Sequence, residues 1–160
     1  MKKLFATIVI LVMVMAFIGI AHAHDVFNAI LTGAEEVPPV DTVTTGDVII
    51  VFNDEGTAAR FELTVNAGQR VQQAHIHCGP IGVNGPIVVF LAGFHANGWE
   101  VDGQWVSNTT FTDANITNTS CGSTLAELAQ SMRDGNTYAN VHTVANPGGE
   151  IRGQIQELPH

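Results

Sequence analysis

Downstream of position 24 the apolar residues recur with a period of two, in short runs of Val, Ile, Phe and Thr punctuated by Gly, Pro, Asn and Asp. Alternate side chains along a strand share one face, so this period predicts β-structure rather than helix. A first strand is expected over residues 25–31. Residues 46–53 and 57–65 read as a hairpin turned by Asp54-Glu55-Gly56. Further strands are expected over 70–78, 87–91 and 104–111, with an irregular stretch at 93–103. The runs 138–143 and 150–156 form a last hairpin around Asn146-Pro147-Gly148-Gly149. Pro38 and Pro39 remove two ladder donors and take residues 36–40 out of any sheet interior. Only residues 123–134 carry a helical pattern: Leu125, Leu128 and Met132 share a face, Ser123 is placed to cap, and Gly135 ends the run. Eight or so short strands with one helix predict an all-β fold, an antiparallel Greek-key-like β-sandwich.

The first residues do not share that pattern. Lys2 and Lys3 precede an apolar run over 4–20, and Ala21-His22-Ala23 supplies small residues where a signal peptidase cuts, so residues 1–23 are expected to be an export signal and 24–160 the single domain. The run is short for a bilayer span, which makes an uncleaved anchor the lesser alternative. Loss of Lys2 and Lys3 with the leader takes the formal net charge from −9 to −11. Such a chain does not suit nucleic acid or anionic membrane surfaces, both of which call for basic patches. The expected location is secreted, periplasmic or cell-surface. There the two cysteines, Cys78 and Cys121, can form one disulfide, the other readings being two free thiols or Cys78 as a metal ligand presented by a bulge. Three glycosylation sequons begin at Asn108, Asn115 and Asn118, within a polar stretch rich in Thr and Asn.

Candidate chemistry lies with the histidines. In a strand over 70–78, His75 and His77 project together while Ala74, Ile76 and Cys78 project the other way. In the last hairpin His142 shares a face with Tyr138 and Asn140, opposite Val141. Convergence of His75, His77 and His142 would make an imidazole-rich set suited to copper or zinc, with Glu150, Asn140 or a backbone carbonyl available to hold a ligand ring. The plain alternative is three polar residues on a wet face, with Glu150 and Arg152 a cross-strand ion pair. His24 at a processed N-terminus, His95 in the irregular stretch and His160 in the tail are weaker candidates. Binding by imidazoles is expected to weaken as pH falls through about 6.5. No Gly-x-Ser-x-Gly turn or His-Glu-x-x-His helix points to a hydrolase, and the glycines of 79–85 lack the lysine of a phosphate loop.

Four stretches in fixed order carry a resemblance: Glu36-Val37-Pro38-Pro39-Val40, Ala74-His75-Ile76-His77 with Gly79, Asn84-Gly85-Pro86, and Gly135 through Asn140-Val141-His142-Thr143 to Asn146-Pro147-Gly148-Gly149-Glu150-Ile151-Arg152-Gly153-Gln154. Together they resemble the CHRD domain, named from the developmental protein chordin, over roughly residues 27–156. The resemblance implies a secreted β-sandwich, and the family's recurrent histidines map onto His75, His77 and His142. Chordin's growth-factor binding belongs with cysteine-rich modules that this chain does not contain. A looser likeness is to copper–zinc superoxide dismutase, which has a His-x-His strand and a disulfide but needs further ligands. The function expected is an exported binding domain with a copper or zinc site; a structural or protein-interaction domain and a dismutase-like redox enzyme are the alternatives. The partner is then a metal ion or another exported protein.

Overall fold

The computed structural model describes residues 25–159; the expected leader, His24 and His160 lie outside them. The strands are β1 (Val26–Thr32), β2 (Thr45–Phe52), β3 (Ala59–Cys78), β4 (Ile87–Ala92), β5 (Trp99–Phe111), β6 (Thr137–Thr143), β7 (Ile151–Gln154) and β8 (Gln156–Glu157). One α-helix, α1 (Leu125–Arg133), stands between β5 and β6. All paired strands are antiparallel.

The pairing order β2-β1-β7-β6-β3 is closed by a further pairing of β2 with β3, while β4 and β5 add to β3 and β8 adds to β1. Five strands therefore form a closed barrel, and the expected sandwich of two separate sheets is corrected. Closure depends on the length of β3. Its first half pairs with β2 from Ala59 to Asn66, and its second half pairs with β6 from Val71 to Cys78. Residues 66–69 read from sequence as a break between two strands. They are instead an irregularity inside one strand, where Ala67 and Arg70 adopt positive φ and the register against β5 slips. Such bulges sharpen bend and twist, which lets one strand serve two sides of a barrel.

The period-two residues fill the interior: Phe27 and Leu31 of β1, Val48 and Ile50 of β2, Phe61 and Leu63 of β3, Val141 of β6 and Ile151 of β7 are all buried. The bulges shift the inward parity of β3 from Phe61, Leu63 and Val65 to Ala74 and Ile76, so His75 and His77 face out of the barrel as the alternation required. At the seam between β1 and β7, a Cβ on Gly153 would meet the Ile30 carbonyl oxygen at 2.1 Å, so no larger residue fits there.

Helix α1 buries Leu125, Leu128, Ala129 and Met132. Its cap is Thr124, whose side chain accepts from the Glu127 N–H; Ser123, the expected cap, instead donates through its own N–H and hydroxyl to the Glu127 carboxylate. Cys78 and Cys121 are disulfide-bonded, tying the end of β3 to the segment before α1. A crosslink across a sequence separation of 43 residues stabilises by about 4 kcal/mol in the chain-entropy model. It also removes Cys78 from consideration as a ligand.

Candidate metal centre

Strand register brings the three histidines together. Against β3, Gln73 pairs with His142, His75 with Asn140 and His77 with Tyr138, so the outward side chains of β3 and β6 form one polar stripe. Arg152, opposite Asn140 in β7, extends it. Exposed polar faces are the rule for such strands, but here every residue of β6 is buried. His75, His77 and His142 are 0%, 7% and 6% exposed.

The cover over His77 comes from the loop following β3. The Cys78 N–H donates to the Pro86 carbonyl at 2.9 Å, and Arg152 donates to the carbonyls of Val83 at 2.9 Å and Pro80 at 3.2 Å and to Asn84 Oδ1 at 3.0 Å. Asn84 in turn donates to the Val37 carbonyl at 2.7 Å, joining this loop to the segment that carries Glu36. The Arg152 guanidinium carbon lies 3.4 Å from the Tyr138 ring centroid, and that ring stacks on His77 at 4.8 Å with a 12° interplanar angle.

The ring nitrogens are assigned by their partners. His77 Nδ1 is 2.9 Å from the Gly85 carbonyl oxygen and His142 Nδ1 is 3.0 Å from that of Pro147. A carbonyl only accepts, so both Nδ1 atoms carry the proton and both Nε2 atoms keep a lone pair. His75 Nδ1 lies 2.9 Å from His142 Nε2 and donates to it. The Nε2 atoms of His75 and His77 are buried with no hydrogen-bond partner. One donor nitrogen from each of the three rings lies within 4.8 Å of the other two. Ligands on a common ion at the usual zinc–nitrogen distance sit roughly 3.4 Å apart, so a shift of about an ångström completes the set. Burial, followed by the neighbouring His142 and His77, pushes the His75 pKa down to about 3. Burial likewise holds His77 and His142 below the ordinary imidazole value. All three Nε2 atoms are therefore unprotonated at neutral pH, those of His75 and His77 without a partner and that of His142 accepting from His75.

A family model for the CHRD domain matches residues 27–155. The chain belongs to the CHRD family. No curated protein and no solved structure matches it. The match runs from β1 to β7, so in this CHRD chain the three histidines, the loop that anchors His77 and the Arg152 that holds that loop all fall inside the family segment.

Of the other candidates in this CHRD domain, Glu150 is placed differently from expectation. Its carboxylate accepts from Thr42 at 2.8 Å, Asn146 at 3.1 Å, Thr44 and Thr143, and the Pro147 carbonyl takes the place beside His142. Burial works to raise the Glu150 pKa, but those hydrogen bonds outweigh it and hold the group below the usual carboxylate range. Nor does Glu150 pair with Arg152, whose hydrogen bonds go to neutral oxygens. Asn140 does lie in the stripe, beside both His77 and Glu36, and its Oδ1 has no well-formed hydrogen bond. His95 stands apart, stacked on Trp99 at 4.1 Å. Sequence reasoning passed over Glu36, which is 5% exposed with Oε1 unpartnered and whose pKa burial pushes up to about 7. Its setting before two prolines signalled an extended edge segment or loop, and its place in a motif of the resemblance carried no role.

Proposed function

We propose that this CHRD domain is a metal-binding domain of an exported protein, holding one copper or zinc ion between His75, His77 and His142. The observation that carries the reading is the pair of buried, unpartnered Nε2 atoms beside a third imidazole. An unsatisfied buried polar atom costs about 1–3 kcal/mol, which a fold retains where a ligand repays it. Anchoring of the opposite ring nitrogens to the Gly85 and Pro147 carbonyls is the arrangement that orients histidine ligands. The disulfide agrees with an oxidising compartment.

The test is a metal titration of the purified domain. Substituting His75, His77 or His142 singly by Ala lowers copper and zinc affinity at least about a hundredfold, as loss of a ligand does, while His95→Ala leaves it unchanged. Because burial depresses all three imidazoles, binding persists below pH 6.5 rather than failing there. Equal binding by the parent and the triple variant ends the metal reading. The protein-interaction reading then takes its place, with the exposed Phe90, Phe94 and Trp99 as its starting surface. A dismutase-like chemistry needs ligands beyond this set.

A further inference from the structure

We infer, resting on the three-histidine reading above, that this site selects a soft monovalent cation, Cu(I), over the divalent ions Cu(II) and Zn(II). Three features of the charge and ligand inventory carry the inference. The ligating group within reach consists of three neutral imidazoles, with no carboxylate or thiolate among them. A monocation brings one charge into this setting and a dication two, and the cost of taking an ion out of water grows with the square of its charge.

The second feature is a fixed positive charge nearby. The guanidinium of Arg152 and the ring of His77 both lie against the Tyr138 ring. Arg152 is 2% exposed and hydrogen-bonds to two carbonyls and an amide oxygen, so no carboxylate neutralises it directly. The Glu36 carboxyl near Arg152 is itself buried, where desolvation works against its ionised form more strongly than Arg152 favours it, so it offsets that charge only in part. The repulsion between Arg152 and a bound ion doubles from Cu(I) to Cu(II) or Zn(II).

The third feature is coordination number. Zn(II) with three protein ligands completes a tetrahedron with water, and Cu(II) favours four ligands in a tetragonal plane. Cu(I), with a filled d shell like Zn(II) but only half its charge, rests with three. The rings are buried to 0%, 7% and 6% exposure under Phe90, Tyr138 and the 79–86 loop, so added water ligands must be drawn into a covered site.

The experiment compares ions on the intact domain. Under anaerobic conditions Cu(I) is titrated against a Cu(I) chelator, and Cu(II) and Zn(II) against chelators of matched strength. Ag(I) serves as a monovalent probe that does not change oxidation state. The expected result is one Cu(I) per chain, displaced by Ag(I), bound at least about a hundredfold more tightly than Cu(II) or Zn(II), a gap of about 2.7 kcal/mol. The copper-loaded protein is then expected to stay EPR-silent in air. Cu(II) or Zn(II) binding through the same histidines as tightly as Cu(I) overturns the inference and leaves the metal site standing. If no ion binds in a histidine-dependent way, both fall. Arg152→Gln checks the cause: where the variant folds, Cu(II) affinity relative to Cu(I) rises about tenfold. An unchanged ratio overturns the charge argument, and if the variant does not fold the parent comparison still decides.

Discussion

On the inward side of β3, β6 and β7 lie Ala74, Ile76, Ala139, Val141 and Ile151, all 0% exposed. On the outward side lie His75, His77, Tyr138, Asn140, His142 and Arg152, none more than 7% exposed. The two faces are almost equally dry and are dry for opposite reasons. Inward residues leave water because apolar surface gains by it, at roughly 25 cal/mol per Å². Outward residues are covered by loops that are themselves held down by polar contacts, above all from Arg152. Burial on the first face supplies stability. On the second it is tolerated, and several polar atoms remain unpaired.

The sharpest way to break this comparison is to alter neighbouring residues on opposite faces. Ile76→Ala removes packing from the barrel and is expected to cost about 2–5 kcal/mol in denaturant unfolding. His75→Leu in the metal-free protein replaces a buried polar ring by an apolar side chain and is expected to change stability by no more than about 1 kcal/mol, in either direction. Comparable losses from the two would mean that the outward face is packed for stability after all.

A smaller effect is expected where the cover meets the stripe. Gly149 has φ +133°, and a Cβ there would lie 2.5 Å from Glu36 Oε1, whereas one on Gly148 meets nothing within 4 Å. Gly149→Ala is therefore expected to destabilise by about 1–3 kcal/mol and Gly148→Ala by no more than a few tenths, read as shifts in melting temperature. Equal shifts would remove the claim that Glu36 is seated against that turn.

The last comparison is of pH dependence, where the two kinds of buried group oppose each other. His75, depressed from 6.5 to about 3, binds fewer protons folded than unfolded across that window, so its contribution is fully present above pH 6.5 and is lost as pH falls. Glu36, raised from 4.5 to about 7, binds more protons when folded, so its contribution declines as pH rises from 4.5 to 7. Removing the second by Glu36→Gln is expected to steepen the rise of metal-free stability between pH 4.5 and 6.5. Unfolding free energies across that range in parent and variant check it, and an unchanged slope would mean that Glu36 ionises normally in the folded chain.

The sequence by itself determined most of the strands, the helix to within two residues at its start, the disulfide partners, the CHRD resemblance and the common face of His75 and His77, but not the start of β5, which begins at Trp99 inside the stretch expected to be irregular. The resemblance rests on four motifs in fixed order; each of the others follows from local periodicity, from a turn that only a few residues make, or from there being two cysteines to pair. The continuity of β3 was decided elsewhere. Asn66-Ala67-Gly68-Gln69 has the composition of a turn, and the chain carries on as one strand through left-handed Ala67 and Arg70 because β2 pairs up to Asn66, β5 holds Gly68 and β6 takes over from Val71. Barrel closure followed from that continuity, so a sandwich was the natural reading without it. The same holds for the site. Alternation sets which face a histidine takes, but the meeting of His142 with His75 is set by the register of β6 on β3, and the burial of Glu36 and Arg152 by loops distant in sequence. Facing is a property of neighbouring residues along one strand, whereas proximity and dryness arise only when separate segments are packed together.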